Sequence, residues 1–251
     1  MSDEDAALLR VNVTVVTHRG RVRQENEDSV GVGGWSMSGS GPLPLSASFD
    51  LTGTIDVVVC DGMGGHRGGA EASRLALTTF SSSRSAIPEA IAETSEALHA
   101  RSEAEPSLAG MGTTIVGLRL HPDGSAVVFN VGDSPAMRVV DGYLGQLSVD
   151  DRPAVRTAEN AGIVTQFLGG TRRVHLEPHL HHFVVSPGDR LLLSSDGLTD
   201  VLETREIASL LEHAAPEAAA GLLAATLESG APDNVTFVIV DVERAYAVVT
   251  A

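Results

Sequence analysis

Short apolar runs of strand length recur along the whole chain. They lie at residues 12–16, 29–33, 54–60, 113–120, 125–131, 136–140, 143–148, 180–186, 190–195 and 235–242. Two pairs of runs are joined by tight-turn sequences, HPDG at 121–124 and DG at 141–142. Such hairpins make neighbouring strands antiparallel, whereas parallel strands would need a helical crossover at the same place.

Helical periodicity occurs in two separate pairs of segments. The apolar stripes are Ala72, Leu75, Ala76 and Phe80; Ile87, Ile91 and Leu98; Ile207, Leu210, Leu211 and Ala214; and Ala219, Leu222, Leu223 and Thr226. Pro216 suits the first turn of the last helix. Two helix pairs, each placed between groups of antiparallel strands, predict sheets packed on each other with helices outside.

The 251 residues show no internal repeat and no long linker, so we expect one domain over 1–251. Residues 1–10 are expected to be flexible. The Gly-, Ser- and Pro-rich segment 33–48, GGWSMSGSGPLPLSAS, is expected to form a surface loop.

The composition excludes several classes of function. All 17 basic residues are arginine, so lysine-dependent phosphate binding and Schiff-base chemistry are excluded. The formal net charge of −16 argues against a nucleic-acid surface. No apolar run has the length of a membrane span, and the acidic start MSDEDAALLR lacks the pattern of a signal peptide. These features predict a cytoplasmic protein without membrane contact.

Acidic residues stand where apolar strands begin or end. They are Glu27, Asp28, Asp61, Asp133, Asp196 and Asp233. Carboxylates that converge from such strand ends repel one another unless a cation neutralises them. An all-oxygen set favours Mg²⁺ or Mn²⁺ over Zn²⁺. Two such ions about 4 Å apart can hold a phosphoryl group and activate water, which suggests phosphoester hydrolysis.

Six segments then show a resemblance to a known family. They are HRGRVRQENEDSV (18–30), VVVCDGMGGHRGG (57–69), GMGTT (110–114), NVGDS (130–134), GDRLLLSSDGLTD (188–200) and GAPDNVT (230–236). In this order they resemble the bacterial metal-dependent protein serine/threonine phosphatases of type 2C, the PPM family. The resemblance implies an α+β fold, a four-layer αββα sandwich of two antiparallel sheets flanked by helix pairs.

The resemblance also implies metal ligands. Asp61 would bridge two Mn²⁺ or Mg²⁺ ions, with the Gly62 carbonyl as a further ligand. Asp196 and Asp233 would complete the first ion's protein ligands, and Glu27 would serve the second ion. A bridging water activated by these metals would hydrolyse phosphoserine and phosphothreonine in proteins.

Further roles follow from the same resemblance. Asp28 would hold metal-bound water, and Asp133 with Asp196 would bind a third ion, whose presence stays open. Arg23 would grip the substrate phosphate as a bidentate donor. Thr113, Thr114 and Asn234 are expected to support the ligands rather than to bind metal. The expected partners are phosphoproteins, the targets of Ser/Thr kinases, and the chain is expected to be a monomer.

The chain departs from the family at three places. Met63 replaces the histidine with which eukaryotic relatives protonate the leaving group, and His66 is the nearest alternative donor. Pro135 stands where the family usually has arginine. The segment 149–167 is short for a bacterial flap, which predicts broad activity on small phosphoesters.

Three alternatives remain open at this stage. A cluster of histidines could bind zinc, although a solvated strand face explains it better. Its members are His175, His179, His181 and His182. The fold could instead serve a catalytically weak binding module, but the metal-binding acids of the family are kept. A phosphatase of small metabolites cannot be separated from a protein phosphatase by sequence.

Overall fold

Two six-stranded antiparallel sheets form the centre of the molecule in a computed structural model that describes residues 8–41, 44–64, 67–155, 157, 160 and 162–245. Numbered along the chain, the first sheet has the order β11 (Tyr143–Gln146), β10 (Ala136–Val140), β14 (Arg190–Ser194), β15 (Val235–Arg244), β1 (Leu9–His18) and β4 (Leu45–Asp50). The second has the order β13 (His179–Val184), β9 (Ser125–Val131), β8 (Ile115–Leu120), β5 (Ile55–Cys60), β2 (Ser29–Val32) and β3 (Trp35–Ser38). A small third sheet joins β12 (Leu168–Gly169), β7 (Gly112–Thr113) and β6 (Gly62–Met63).

Three apolar clusters separate four layers. Inward-facing residues of the two large sheets, such as Val13, Val57 and Val240, form the central cluster. Helices α1 (Arg67–Ser82) and α2 (Ile87–Ala104) close a second cluster on the outer face of the β5 sheet. Helices α3 (Asp196–Thr199), α4 (Thr204–Leu210) and α5 (Ala215–Glu228) close a third on the β15 sheet. The expected α+β, αββα architecture is confirmed.

The strand and helix pattern is confirmed in most places because each stripe buries one face. The longest pairing joins β1 to β15 over ten residues, from Leu9 opposite Arg244 to His18 opposite Val235. Pro216 stands in the first turn of α5 as expected, where no helical hydrogen-bond donor is needed, and Pro88 stands likewise in α2. No helix in the described ranges is long and apolar enough to cross a membrane.

The expected surface loop at 33–48 is wrong in part. Trp35–Ser38 forms β3, which continues from β2 through a turn at Gly33 and Gly34, both with positive φ. Leu45–Asp50 forms β4, which pairs with β1. Both strands are mostly exposed, so they lack the apolar pattern that marks a strand, and pairing with a sheet edge creates them.

Two boundaries also differ from expectation. Leu9 and Arg10 belong to β1 rather than to a flexible N-terminal segment, because they pair with β15. Helix α4 ends at Leu210, whereas the apolar stripe runs on to Ala214. The organisation of 1–251 as a single domain stays a prediction.

Candidate metal-dependent active site

Two Asp-Gly pairs lie at strand ends, where the backbone packs too closely for any other residue. A Cβ at Gly62 would come within 2.1 Å of the Gly69 carbonyl oxygen. One at Gly197 would come within 1.8 Å of the Asn234 carbonyl oxygen. These close approaches bring Asp61, at the end of β5, and Asp196, at the start of α3, towards the same end of the sandwich.

Threonine hydroxyls fix the backbone of Asp61 on both sides. Thr113 Oγ1 donates to the Asp61 carbonyl oxygen at 2.8 Å, and the Asp61 N–H donates to Thr114 Oγ1 at 3.2 Å. Thr114 Oγ1 also lies 2.7 Å from Ser134 Oγ, next to Asp133. The expected supporting role of the two threonines therefore has a geometric basis.

Asn234 holds the loop between β1 and β2 against the start of β15. Its Nδ2 donates to the carbonyl oxygens of Arg19 and Glu25, at 3.0 and 2.9 Å. Its Oδ1 accepts the N–H of Glu27 at 2.8 Å. One buried amide thereby places Glu27 beside Asp233, although more than 200 residues separate them in sequence.

A cleft of about 270 Å³ opens at this end of the molecule. It is lined by Arg23, Glu27, Asp61, Gly62, Met63, Gly64, Thr114, Asp133, Gly162, Val164, Asp196 and Asp233. Every residue expected at the site lines this cleft except Asp28. Gly162 and Val164 come from the short segment 149–167, so that segment covers one wall.

Asp28 lies behind the cleft and is buried. Its Oδ2 accepts the Ser195 hydroxyl at 2.9 Å, while its Oδ1 is buried without a hydrogen-bond partner among the described residues. Burial is the main reason that the pKa of Asp28 rises to about 7, and repulsion from Asp233 adds to it. A buried carboxylate oxygen without a partner is a position where a cation, or water held by one, fits.

The other carboxylates raise one another's pKa by repulsion. Burial, followed by repulsion from Asp28 and Asp196, holds the pKa of Asp61 well above its ordinary value. Burial and repulsion from Asp133 raise the pKa of Asp196 to about 7. These directions mean that the cluster resists its own negative charge, so bound divalent cations would relieve the repulsion.

Two arginines bond to different carboxylates of the cluster. Arg23 Nη2 donates to Asp233 Oδ2 at 2.6 Å, and the Arg23 side chain is 49% exposed. Arg152 donates to Asp133 and Asp196, at 2.7 and 3.2 Å, and also to Asp200, while its own side chain is 9% exposed. Burial lowers the pKa of Arg152, but bonds to Asp200 and attraction to Asp133 outweigh it and raise the pKa above its ordinary value.

The residues present fit two cations better than three. Within the described ranges, no group of three or more His, Cys, Asp or Glu side chains encloses an ion as the side chains lie, and Asp233, Asp133 and Asp196 are turned into arginine pairs. The oxygen-only donors around Asp61 and the unpartnered Oδ1 of Asp28 fit two hard cations. At Asp133 the guanidinium of Arg152 already bonds to Oδ2, so a third cation there would lie beside a fixed positive charge.

Sequence reasoning missed Arg152 and Ser195. Arg152 follows two aspartates in an irregular segment, and nothing in that pattern indicates that it folds back onto Asp133. The apolar run that ends at Ser195 indicated Asp196 as a candidate ligand. Nothing in that run indicated that Ser195 bonds to Asp28. His66, the suggested proton donor, lies outside the described residues.

The histidine cluster has an ordinary explanation. His179 Nε2 lies 3.0 Å from Asp151 Oδ1, and His181 packs beside Phe183 with ring centroids 5.7 Å apart. The described part of the chain offers no histidine group that could hold a metal, and the solvated strand face stays the better interpretation.

Comparisons with known proteins identify the family. The family model described as Stage II sporulation protein E (SpoIIE) matches residues 52–243. Serine/threonine protein phosphatase PstP of Mycobacterium tuberculosis is 31% identical over 245 residues, which cover 89% of this chain and 43% of PstP. Serine/threonine phosphatase stp of Listeria monocytogenes is 29% identical over 253 residues, which cover 90% of this chain and 93% of stp. The chain thus spans less than half the length of PstP.

Solved structures show the same fold. The catalytic domain of PstP in complex with two manganese ions superposes with a TM-score of 0.75 at 29% identity, covering 94% of this chain and 99% of that one. PppA of Pseudomonas aeruginosa superposes with a TM-score of 0.74 at 27% identity, covering 92% and 97%. The chain therefore belongs to the SpoIIE family of PP2C-type (PPM) protein phosphatase domains.

Proposed function

We propose that this chain is a metal-dependent phosphatase that hydrolyses phosphoserine and phosphothreonine in proteins. The observation that carries the proposal is the convergence of carboxylates from five separate segments on one cleft, with an exposed arginine at its edge. The names of the relatives, and the two manganese ions bound by the PstP domain, support the same conclusion.

We assign the metal-binding role to the residues that surround Asp61. Asp61, the Gly62 carbonyl, Asp196 and Asp233 would hold one of two Mn²⁺ or Mg²⁺ ions, and Asp61 with Glu27 would hold the other. When bound, the ions supply Lewis acid activation of water and of the phosphate. Arg23 now bonds to Oδ2 of Asp233, so an ion ligated by that oxygen would compete with the Arg23 pair.

Arg23 would bind the phosphate of the substrate. Its guanidinium has five N–H donors, of which the bond to Asp233 takes one. Because the side chain is half exposed on a loop at the edge of the cleft, its remaining donors can reach a phosphate that enters from solvent. Its charge would also stabilise the negative oxygens of the transition state.

Asp28 would orient the attacking water. Its carboxyl is fixed by Ser195 and lies close enough to Asp61 to interact with it, yet it does not line the open cleft. Met63 lines the cleft but has no proton to donate, so protonation of the leaving group must come from water or from another residue. The suggested role of His66 stays a prediction.

The proposal is tested by hydrolysis of p-nitrophenyl phosphate and of a phosphothreonine peptide, with Mn²⁺, with Mg²⁺ and with chelator. We expect metal-dependent turnover of both substrates in the wild type and its loss in Asp196→Asn. The matched control is Asp141→Asn, which changes another Asp-Gly aspartate, in the β10–β11 turn, where asparagine tolerates the positive φ. Absence of turnover with every metal would contradict the proposal, and turnover of the small ester alone would favour a metabolite phosphatase.

A monomer that acts in the cytoplasm on targets of Ser/Thr kinases completes the proposal. Analytical ultracentrifugation and cell fractionation test the first two parts. A related expectation concerns the choice among phosphoprotein targets. Phosphopeptides of differing sequence should be hydrolysed at similar rates, since the short segment 149–167 gives the cleft few additional walls. Strong preference for one sequence would contradict that expectation.

A further inference from the structure

Arg152 links three carboxylates, two of which line the cleft. Its Nε donates to Asp133 Oδ2 at 2.7 Å, Nη1 donates to Asp200 Oδ1 at 2.8 Å, and Nη2 donates to Asp196 Oδ2 at 3.2 Å. Asp133 is 4% exposed in its side chain, so this pairing is almost closed to solvent. A cluster of three acids therefore already contains a fixed positive charge.

We propose that Arg152 takes the place of a third divalent cation beside Asp133. This inference rests on the proposed function, since it assumes that the two ions bind around Asp61.

The backbone that carries Arg152 is attached firmly beside Asp133. The Asp151 N–H donates to the Gly132 carbonyl oxygen at 2.9 Å, and the Gly132 N–H donates back to Asp151 Oδ2 at 2.8 Å. Asp151 Oδ1 also lies 3.0 Å from His179 Nε2 on β13. Because Gly132 and Asp133 are neighbours, this reciprocal pair fixes the distance between Arg152 and Asp133.

Val149 adds a second attachment. Asn130 Nδ2 donates to the Val149 carbonyl oxygen at 2.6 Å, and the Val149 N–H donates to Asn130 Oδ1 at 3.2 Å. The segment that leads to Arg152 is therefore bound to β9 by the side chain of a buried asparagine. Arg152 does not depend on a loose loop to reach the acids.

A divalent cation at Asp133 would compete directly with this arginine. An ion ligated by Asp133 and Asp196 needs oxygens that Arg152 now holds, and it would lie within a few ångströms of the guanidinium. Like charges so close in a nearly closed site repel strongly. Removal of the guanidinium should therefore create a cation site that the wild type lacks.

The test is the number of Mn²⁺ ions bound per chain, measured by equilibrium dialysis at saturation followed by elemental analysis. We expect two in the wild type and three in Arg152→Ala. Arg152→Lys should keep two, because an ammonium restores the positive charge. Asp133→Asn in the otherwise wild-type chain should also keep two, since Asp133 binds Arg152 and no ion.

The matched control is Arg119→Gln, which removes another arginine that pairs with a partly buried carboxylate, that of Asp56, remote from the cleft. It should leave the count at two. Three ions in the wild type, two in Arg152→Ala, or a lower count in Asp133→Asn would each overturn the inference. The wild-type and Asp133→Asn counts decide the matter even if Arg152→Ala does not fold. A wild type that binds no Mn²⁺ would instead overturn the proposed function itself.

Discussion

Arg23 and Arg152 both bond to carboxylates of one acidic cluster, yet their surroundings differ sharply. Arg23 is half exposed and makes one bond to one carboxylate, whereas Arg152 is almost buried and bonds to three. An exposed arginine with spare donors can exchange its partner for a phosphate. A buried arginine whose donors are satisfied by carboxylates stabilises the fold and fixes their orientation. We therefore expect the same residue type to serve substrate binding at Arg23 and architecture at Arg152.

The largest effect should come from Asp61, an acid that lines the cleft with Arg23. Asp61→Asn should lower kcat/KM for p-nitrophenyl phosphate by about 10³-fold, because the ions contribute several kcal/mol to the barrier reduction. Steady-state kinetics with Mn²⁺ check it. A variant that keeps near wild-type activity would show that the two arginines do not flank the reacting centre.

Arg152→Ala should produce the next largest effect, on stability rather than binding. Without metal, it leaves three acids near one another without their cation, and we expect a loss of about 3 kcal/mol in the free energy of unfolding. That corresponds to a fall of roughly 6–12 °C in Tm. Thermal unfolding with chelator present measures it, since no ion can then replace the guanidinium. Arg152→Lys should recover part of the loss, and an unchanged Tm in Arg152→Ala would contradict the contrast with Arg23.

Arg23→Ala should show the opposite pattern. Loss of a charged donor to the substrate phosphate should lower kcat/KM by about 10- to 100-fold, equivalent to roughly 1.5–3 kcal/mol. The midpoint of thermal unfolding should change little, because the pair with Asp233 is exposed. A large drop in Tm with unchanged kinetics would reverse the two assignments.

The smallest effect should come from an arginine outside the cleft. Arg173 pairs with Glu96 and Glu103 through a side chain that is 49% exposed, the same exposure as Arg23. Arg173→Ala should leave both Tm and kcat/KM unchanged within error. A kinetic defect in this variant would mean that charge in general, rather than position at the cleft, explains the Arg23 result.

Much of the fold could be predicted from local pattern, because most strands and helices bury one face. The stripe of Ala72, Ala76 and Phe80 lies in α1 and packs on the β5 sheet, and the DG turn at 141–142 joins β10 to β11. Exposed β3 and β4 were missed since their pairing, not their composition, makes them strands. The predicted end of α4 was also wrong, because the apolar stripe continues to Ala214 whereas the helix stops at Leu210.

Much of the candidate site could also be predicted, because metal-binding chemistry limits the residue types and the Asp-Gly pairs mark strand ends. The cleft is lined by Asp61, Asp196 and Asp233, in agreement with that expectation. Asp133 shows its limit. Its position beside the cleft was expected, but its partner is an arginine 19 residues away in an irregular segment rather than an ion with a known pattern.

The sequence by itself determined most of the strands and helices, that acidic residues stand at strand ends and that lysine takes no part in the chemistry. These properties depend on residue type and short spacing, which the chain displays directly. Only the tertiary structure decided which carboxylates each of the two arginines contacts and how far each arginine is buried. Whether an arginine meets one carboxylate while half exposed, or three while almost buried, depends on contacts between segments far apart in the chain.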